Sequence, residues 1–103
     1  MFTAIKNLFS SAPQVDLGEL IANKAIILDV RTKEEFNGGH IKGSVNIPLQ
    51  NLNAQLSKLK KEKTIITCCA SGSRSSVAKN ILKSNGFENV HNAGSWFKLR
   101  QYV

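Results

Sequence analysis

Ala25-Ile26-Ile27-Leu28-Asp29-Val30 is a short run of apolar residues broken only by Asp29. Such a run, rich in Ile and without a polar alternate face, forms a strand covered on both sides, and strands covered on both sides pair in parallel. Downstream, Thr64-Ile65-Ile66-Thr67-Cys68 repeats the pattern with β-branched residues. Ser44-Val45-Asn46-Ile47 reads as a second, shorter strand between them, ended by Pro48. Val90 marks a last short strand.

Helical signals lie between and around these strands. Asp16 can cap a helix carrying Leu17, Leu20 and Ile21, and Thr32 with Glu35 forms a capping box for a short helix through Phe36 that stops at Gly38-Gly39. Leu49, Leu52, Leu56 and Leu59 recur at helical spacing and predict an amphipathic helix with lysines toward its end. From Arg74 the series Val77, Ala78, Ile81 and Leu82 predicts a helix closed at Asn85-Gly86, and Trp96 to Arg100 a final helical turn. Strands alternating with helices predict an α/β layer sandwich around a mainly parallel sheet.

The chain has 103 residues, 42% hydrophobic and 20% charged, which is the size and balance of one domain over residues 1–103. A core of that size needs no metal or disulfide staple, so no cofactor is required for folding. Residues 1–13 read as a helical extension, with Phe2, Ile5, Leu8 and Phe9 at helical spacing before Pro13. That stretch has neither the continuous apolar segment of a secretory signal nor the length to span a bilayer, so a cytoplasmic protein without a membrane partner is expected.

Fourteen Lys and Arg against seven Asp and Glu give a formal charge of +7, which favours anionic partners. The basic residues lie mainly on helical stretches, and the cluster Lys58, Lys60, Lys61 and Lys63 is interrupted by Leu59 and Glu62. It reads as a solvated helix end rather than a nucleic-acid surface. The two cysteines, Cys68 and Cys69, are adjacent. Their Cα atoms are too close for ordinary disulfide geometry, and His40 and His91 show no zinc spacing with them, so free thiols in a reducing compartment are expected.

In open parallel sheets ligands bind beyond the carboxyl ends of the strands. Asp29-Val30-Arg31, Pro48 and the segment from Cys69 to Arg74 all fall there. Cys69 sits where a tight loop runs from a strand end into a helix start. Amides in such a loop converge on an anion, and the helix dipole adds partial positive charge, so the sulfur is held as thiolate without a dedicated base. Ser71, Gly72, Ser73 and Ser75 are small, and Arg74 adds a permanent cation. The alternative role for an isolated cysteine at a strand end, an inert small hydrophobe, would not require such a cradle. Asp29 and Arg31 read as structural supports, with the Asp29 carboxylate accepting loop hydrogen bonds and Arg31 pairing with Glu34 or Glu35. His40 reads as bracing a turn, Trp96 as core or rim packing, and Cys68 as facing the opposite side of its strand.

These residues resemble the rhodanese-like family of sulfurtransferases. The likeness is carried by Leu28-Asp29-Val30-Arg31, the run from Phe36 to Pro48, the loop Cys69-Ala70-Ser71-Gly72-Ser73-Arg74-Ser75, and Ala93-Gly94-Ser95-Trp96, in the family's order from about residue 15 onward. The resemblance implies a three-layer sandwich with a mainly parallel sheet of about five strands flanked by helices. It implies Cys69 as the catalytic residue, with Ala70, Ser71, Gly72, Ser73, Arg74 and Ser75 binding substrate and Asp29 and Arg31 supporting them. The implied partners are a small anionic sulfur donor such as thiosulfate and a thiol or cyanide acceptor, which in cells could be a protein thiol. A monomer is expected, with no cofactor and no metal.

Two other readings stay open. The neutral residues Ala70, Ser71 and Ser73 fit a carrier or non-catalytic binding module. Counted from Cys68, five residues precede Arg74, which formally matches the loop of a cysteine phosphatase or arsenate reductase. Counted from Cys69 there are four, a loop sized for one transferable sulfur rather than a tetrahedral phosphate.

Overall fold

The computed structural model describes residues 15–103. The helical extension expected over residues 1–13 lies outside them. Four strands, β1 (Ile26–Asp29), β2 (Val45–Asn46), β3 (Ile65–Cys69) and β4 (Val90–Ser95), form one sheet in the order β2-β1-β3-β4. Every neighbouring pair is parallel. The expected parallel α/β architecture is present, but the described residues supply four strands where about five were anticipated.

The apolar runs explain the layering. Every residue of β3 is buried. Its side chains alternate between two cores, with Ile65 and Cys69 in one and Ile66 and Cys68 in the other. Each fully buried Ile contributes about 1.5–3 kcal/mol. The first core also takes Leu28, Val30 and Ile47 together with Ala78 and Leu82 of the helix after β3, α3 (Ser73–Ser84). The second takes Ile27 and Ile41 with Leu17 of α1 (Leu17–Ala22) and Leu99 of the closing 3₁₀ segment Trp96–Tyr102. Gly18 is where α1 meets that closing segment, since a Cβ there would fall 2.9 Å from the Tyr102 ring.

The caps follow the sequence. Asp16 accepts from the Glu19 N–H, and α2 (Lys33–Asn37) starts on the full Thr32–Glu35 capping box. Asn85 caps α3, and Gly86 turns the chain at φ +92°.

Three features differ from expectation. The leucine stripe forms two 3₁₀ segments, Leu49–Asn51 and Asn53–Lys58, in place of one α-helix, with Gln55 at φ −123°. Two asparagines in a short segment give poor α-helical propensity, and 3₁₀ winding still sets Leu49 over Leu52, three residues on. Lys60, Lys61 and Lys63 consequently fall beyond the helical segment. β4 runs for six residues although only Val90 has strong strand propensity; pairing with buried β3 overrides the local preference. Its ladder is irregular: Thr67 faces Asn92 and Cys68 faces Gly94, leaving Ala93 as an extra residue. No described helix is long and apolar enough to cross a membrane.

Candidate active site

Parallel pairing brings the carboxyl ends of all four strands to one edge, where the loop from Cys69 to α3 rises. Gly72 is the N-cap of α3 at φ +114° and offers no capping side chain. The first amides of α3 therefore need another acceptor, and the Cys69 sulfur is that acceptor. The Gly72 N–H reaches Sγ at 3.0 Å and the Ser75 N–H at 3.3 Å. Ser75 Oγ lies 3.4 Å from the sulfur. Only glycine fits at residue 72: besides its positive φ, a Cβ would approach Gly94 Cα to 3.3 Å.

Burial pushes the Cys69 thiol up, but the Ser75 hydroxyl and the N–H groups of Ser75, Gly72 and Ser71 outweigh it and hold the thiol below its ordinary value. Cys68 is the opposite case. It lies in the second core, on the far face of β3, and burial with the nearby Asp29 carboxylate pushes it up to about 12. Two adjacent thiols are thus separated by which face of one strand they occupy. The Cys69 residue has 0% exposure, whereas Ala70 and Ser71 are exposed above it.

The remaining expected site residues divide into three groups. Ser73 is exposed and makes no hydrogen bond to the sulfur, whereas Ser75 is buried and Thr67 Oγ1 donates to its carbonyl at 3.0 Å. Arg74 stands beside the loop, but it is not a free cation. Its guanidinium grips Glu35 in a two-point pair at 2.7 and 3.0 Å. Hydrogen bonds from Arg74 and from the Thr32 backbone bring the Glu35 carboxyl down to about 2, so the pair persists across the neutral range. Arg31 pairs with Asp29 rather than with Glu34 or Glu35. Arg31 Nη2 lies 2.7 Å from Asp29 Oδ2, and both side chains are buried. The guanidinium also donates to the Glu35 and Gly39 carbonyls and sits 4.5 Å from the centre of the Trp96 ring. His40 stacks on Phe36 and bonds its carbonyl at 2.8 Å, which is the bracing role expected.

A cleft of about 220 Å³ opens beside Arg74, walled by Val30, Thr32, Pro48, Leu49 and Gln50. Sequence reasoning missed two contributors to the site. Glu35 was legible as a capping residue but not as the partner of an arginine 39 positions away. Asn92 gave no signal at all; its side-chain oxygen accepts from Ser75 Oγ at 2.6 Å and from the Gly94 N–H at 2.9 Å.

A parallel α/β sandwich that cups an acidified thiol in a strand-to-helix loop defines a class of cysteine-centred domains. Within it, this chain belongs to the rhodanese-like domain family, whose profile matches residues 14–101. It is 37% identical over 75 residues to the protein YqhL of Bacillus subtilis (strain 168), covering 73% of this chain and 60% of YqhL. It is 35% identical over 69 residues to the thiosulfate sulfurtransferase PspE of Escherichia coli (strain K12), covering 65% of this chain and 66% of PspE. In both cases the match spans less than two thirds of the relative's length. Among solved structures, the human single-domain sulfurtransferase TSTD1 superposes with a TM-score of 0.74 at 28% identity, covering 90% of this chain and 99% of that one.

Proposed function

We propose that the protein is a sulfurtransferase that moves sulfane sulfur from a donor such as thiosulfate to a thiol or cyanide acceptor through a persulfide on Cys69. The observation that carries this reading is the convergence of the Gly72 and Ser75 amides on one sulfur at 3.0 and 3.3 Å. In the first step the Cys69 thiolate attacks the outer sulfur of thiosulfate. A Cys69–sulfur bond forms, the sulfur–sulfur bond of thiosulfate breaks, and its electron pair leaves with sulfite. In the second step the acceptor thiolate attacks the outer persulfide sulfur and the electron pair returns to Cys69. Negative charge stays at the loop in both steps, where fixed amides and the start of α3 stabilise it without reorganisation. The names of PspE and TSTD1 support the same chemistry. We read the protein as a monomer of a reducing, cytoplasmic compartment, and its surplus of positive charge as suited to a small anion or an acidic protein acceptor.

Incubation with thiosulfate is expected to add about 32 Da, one sulfur atom, to the intact protein, and cyanide to remove it with release of thiocyanate. No adduct from any sulfane donor would sink the reading. A carrier that holds persulfide for a partner is the second reading, favoured by the Arg74–Glu35 pair, which leaves the mouth of the loop nearly neutral. Slow thiocyanate turnover despite full loading is its signature.

The same pair yields a further expectation. Glu35→Gln keeps an acceptor at the capping position and frees Arg74 to meet an anion. The rate of adduct formation with thiosulfate should then rise about two- to fivefold at low salt, the range of an exposed ion pair, and the gain should fade as salt screens it. An unchanged rate would mean that Arg74 does not face the incoming donor.

A further inference from the structure

The Ser75 hydroxyl has one proton and three acceptors in reach. Its oxygen lies 2.6 Å from Asn92 Oδ1, 3.1 Å from the Gly72 carbonyl and 3.4 Å from Cys69 Sγ. The Asn92 contact is the shortest, and the Gly94 N–H, 2.9 Å away on the far side of the β4 irregularity, fixes which amide atom points at the loop. We propose that Asn92 is a positioning residue for the Cys69 nucleophile: its side-chain oxygen holds the Ser75 hydroxyl proton and so decides whether that hydroxyl accepts from the sulfur or donates to it.

With the proton on Asn92, the Ser75 oxygen accepts from the Cys69 S–H, and every group is satisfied. Once the sulfur is ionised, the same lone pair faces an anion. The hydroxyl can support the thiolate only by turning its proton to the sulfur, which gives up the 2.6 Å bond to Asn92. Asn92 thus competes for the proton through which the Ser75 hydroxyl supports the thiolate, and it offsets part of the lowering that the hydroxyl and the loop amides produce together. An intermediate acidity has a use in a two-step cycle. A more acidic thiol leaves faster from a persulfide but attacks a donor more weakly as thiolate. Asn92 shifts that balance toward loading.

The other charged or titratable groups about the sulfur are Arg74 on α3, tied to Glu35 of α2, and Asp29 at the end of β1, paired with Arg31. On β3, Cys68 keeps its proton through the neutral range. On β4, burial and then the charges of Lys79 and Lys83 lower the His91 pKa.

The inference rests on Cys69 being the reactive thiol, and alkylation reads that thiol directly, apart from any sulfur transfer. The test is the pH dependence of Cys69 alkylation by iodoacetamide, followed by peptide mass spectrometry. Asn92 is exposed, so Asn92→Ala opens no core cavity. It should lower the midpoint by about half to one pH unit, the worth of one hydrogen bond. Asn92→Asp keeps both accepting contacts, holds the hydroxyl proton more firmly and should raise the midpoint. Adding Asn92→Ala to Ser75→Ala should move nothing further. An unmoved or raised midpoint in Asn92→Ala, a lowered one in Asn92→Asp, or a shift that survives in the Ser75→Ala background would each overturn the proposal. A protein that loads no sulfur yet shows these shifts would instead count against the transferase reading alone.

Discussion

Cys69→Ser is expected to abolish the sulfur adduct and all thiocyanate formation, while Cys68→Ser leaves both close to the parent protein. The two thiols are adjacent in the chain, so a reagent sensitive only to proximity would treat them alike. They differ in surroundings. Cys69 sits beneath amides aimed at its sulfur, and Cys68 sits in an aliphatic core with its thiol pushed up to about 12. At neutral pH Cys68 therefore presents essentially no thiolate, and the thiolate is the nucleophile. Serine at residue 69 preserves size and the loop hydrogen bonds, but an alcohol cannot carry a persulfide, so the loss should be complete rather than partial. The same pair of variants tests the phosphatase reading, which uses Cys68. Hydrolysis of an aryl phosphate that survives Cys69→Ser and dies with Cys68→Ser would reverse the assignment. An adduct mapped to Cys68 would do so too.

The parts of the site that follow from nearest neighbours in sequence were legible from the residues. Buried strands announced themselves as apolar runs, the Thr32–Glu35 box as a three-residue spacing, and the Cys69 loop as small residues between a strand and a helix. What escaped reading depends on contacts across the fold. Glu35 meets Arg74 only because α2 and α3 both begin at the same sheet edge. Asn92 meets Ser75 because pairing with Thr67 sets it on the sheet face that α3 covers, and nothing local in Val-His-Asn-Ala-Gly-Ser signals that pairing. The four-stranded sheet and the 3₁₀ winding of the leucine stripe are likewise decided by packing, which overrides propensity in short segments.

Asp29→Ala should be the most destabilising single change at the active edge, by about 3–5 kcal/mol. Asp29 has 0% exposure and Arg31 4%. The carboxylate accepts from Arg31 Nη2 at 2.7 Å, from Nε at 2.9 and 3.0 Å, and from the Arg31 N–H at 3.0 Å. Removing it strands a guanidinium that still must serve the Glu35 and Gly39 carbonyls, so the arginine cannot simply swing to water without leaving those groups unpaired in turn. A domain has only about 5–15 kcal/mol in total, which makes the variant marginal at room temperature. Urea unfolding is the measurement. Asp29→Asn, which keeps the shape and one accepting oxygen, should cost less than Asp29→Ala, and its folded fraction should still load sulfur, because the carboxylate supports the edge without touching the Cys69 sulfur. A loss below about 1 kcal/mol in Asp29→Ala, the value of an exposed pair, would mean that the Arg31 charge finds solvent and that the pair does not organise the edge. Failure of folded Asp29→Asn to load sulfur would instead put the carboxylate in the chemistry itself.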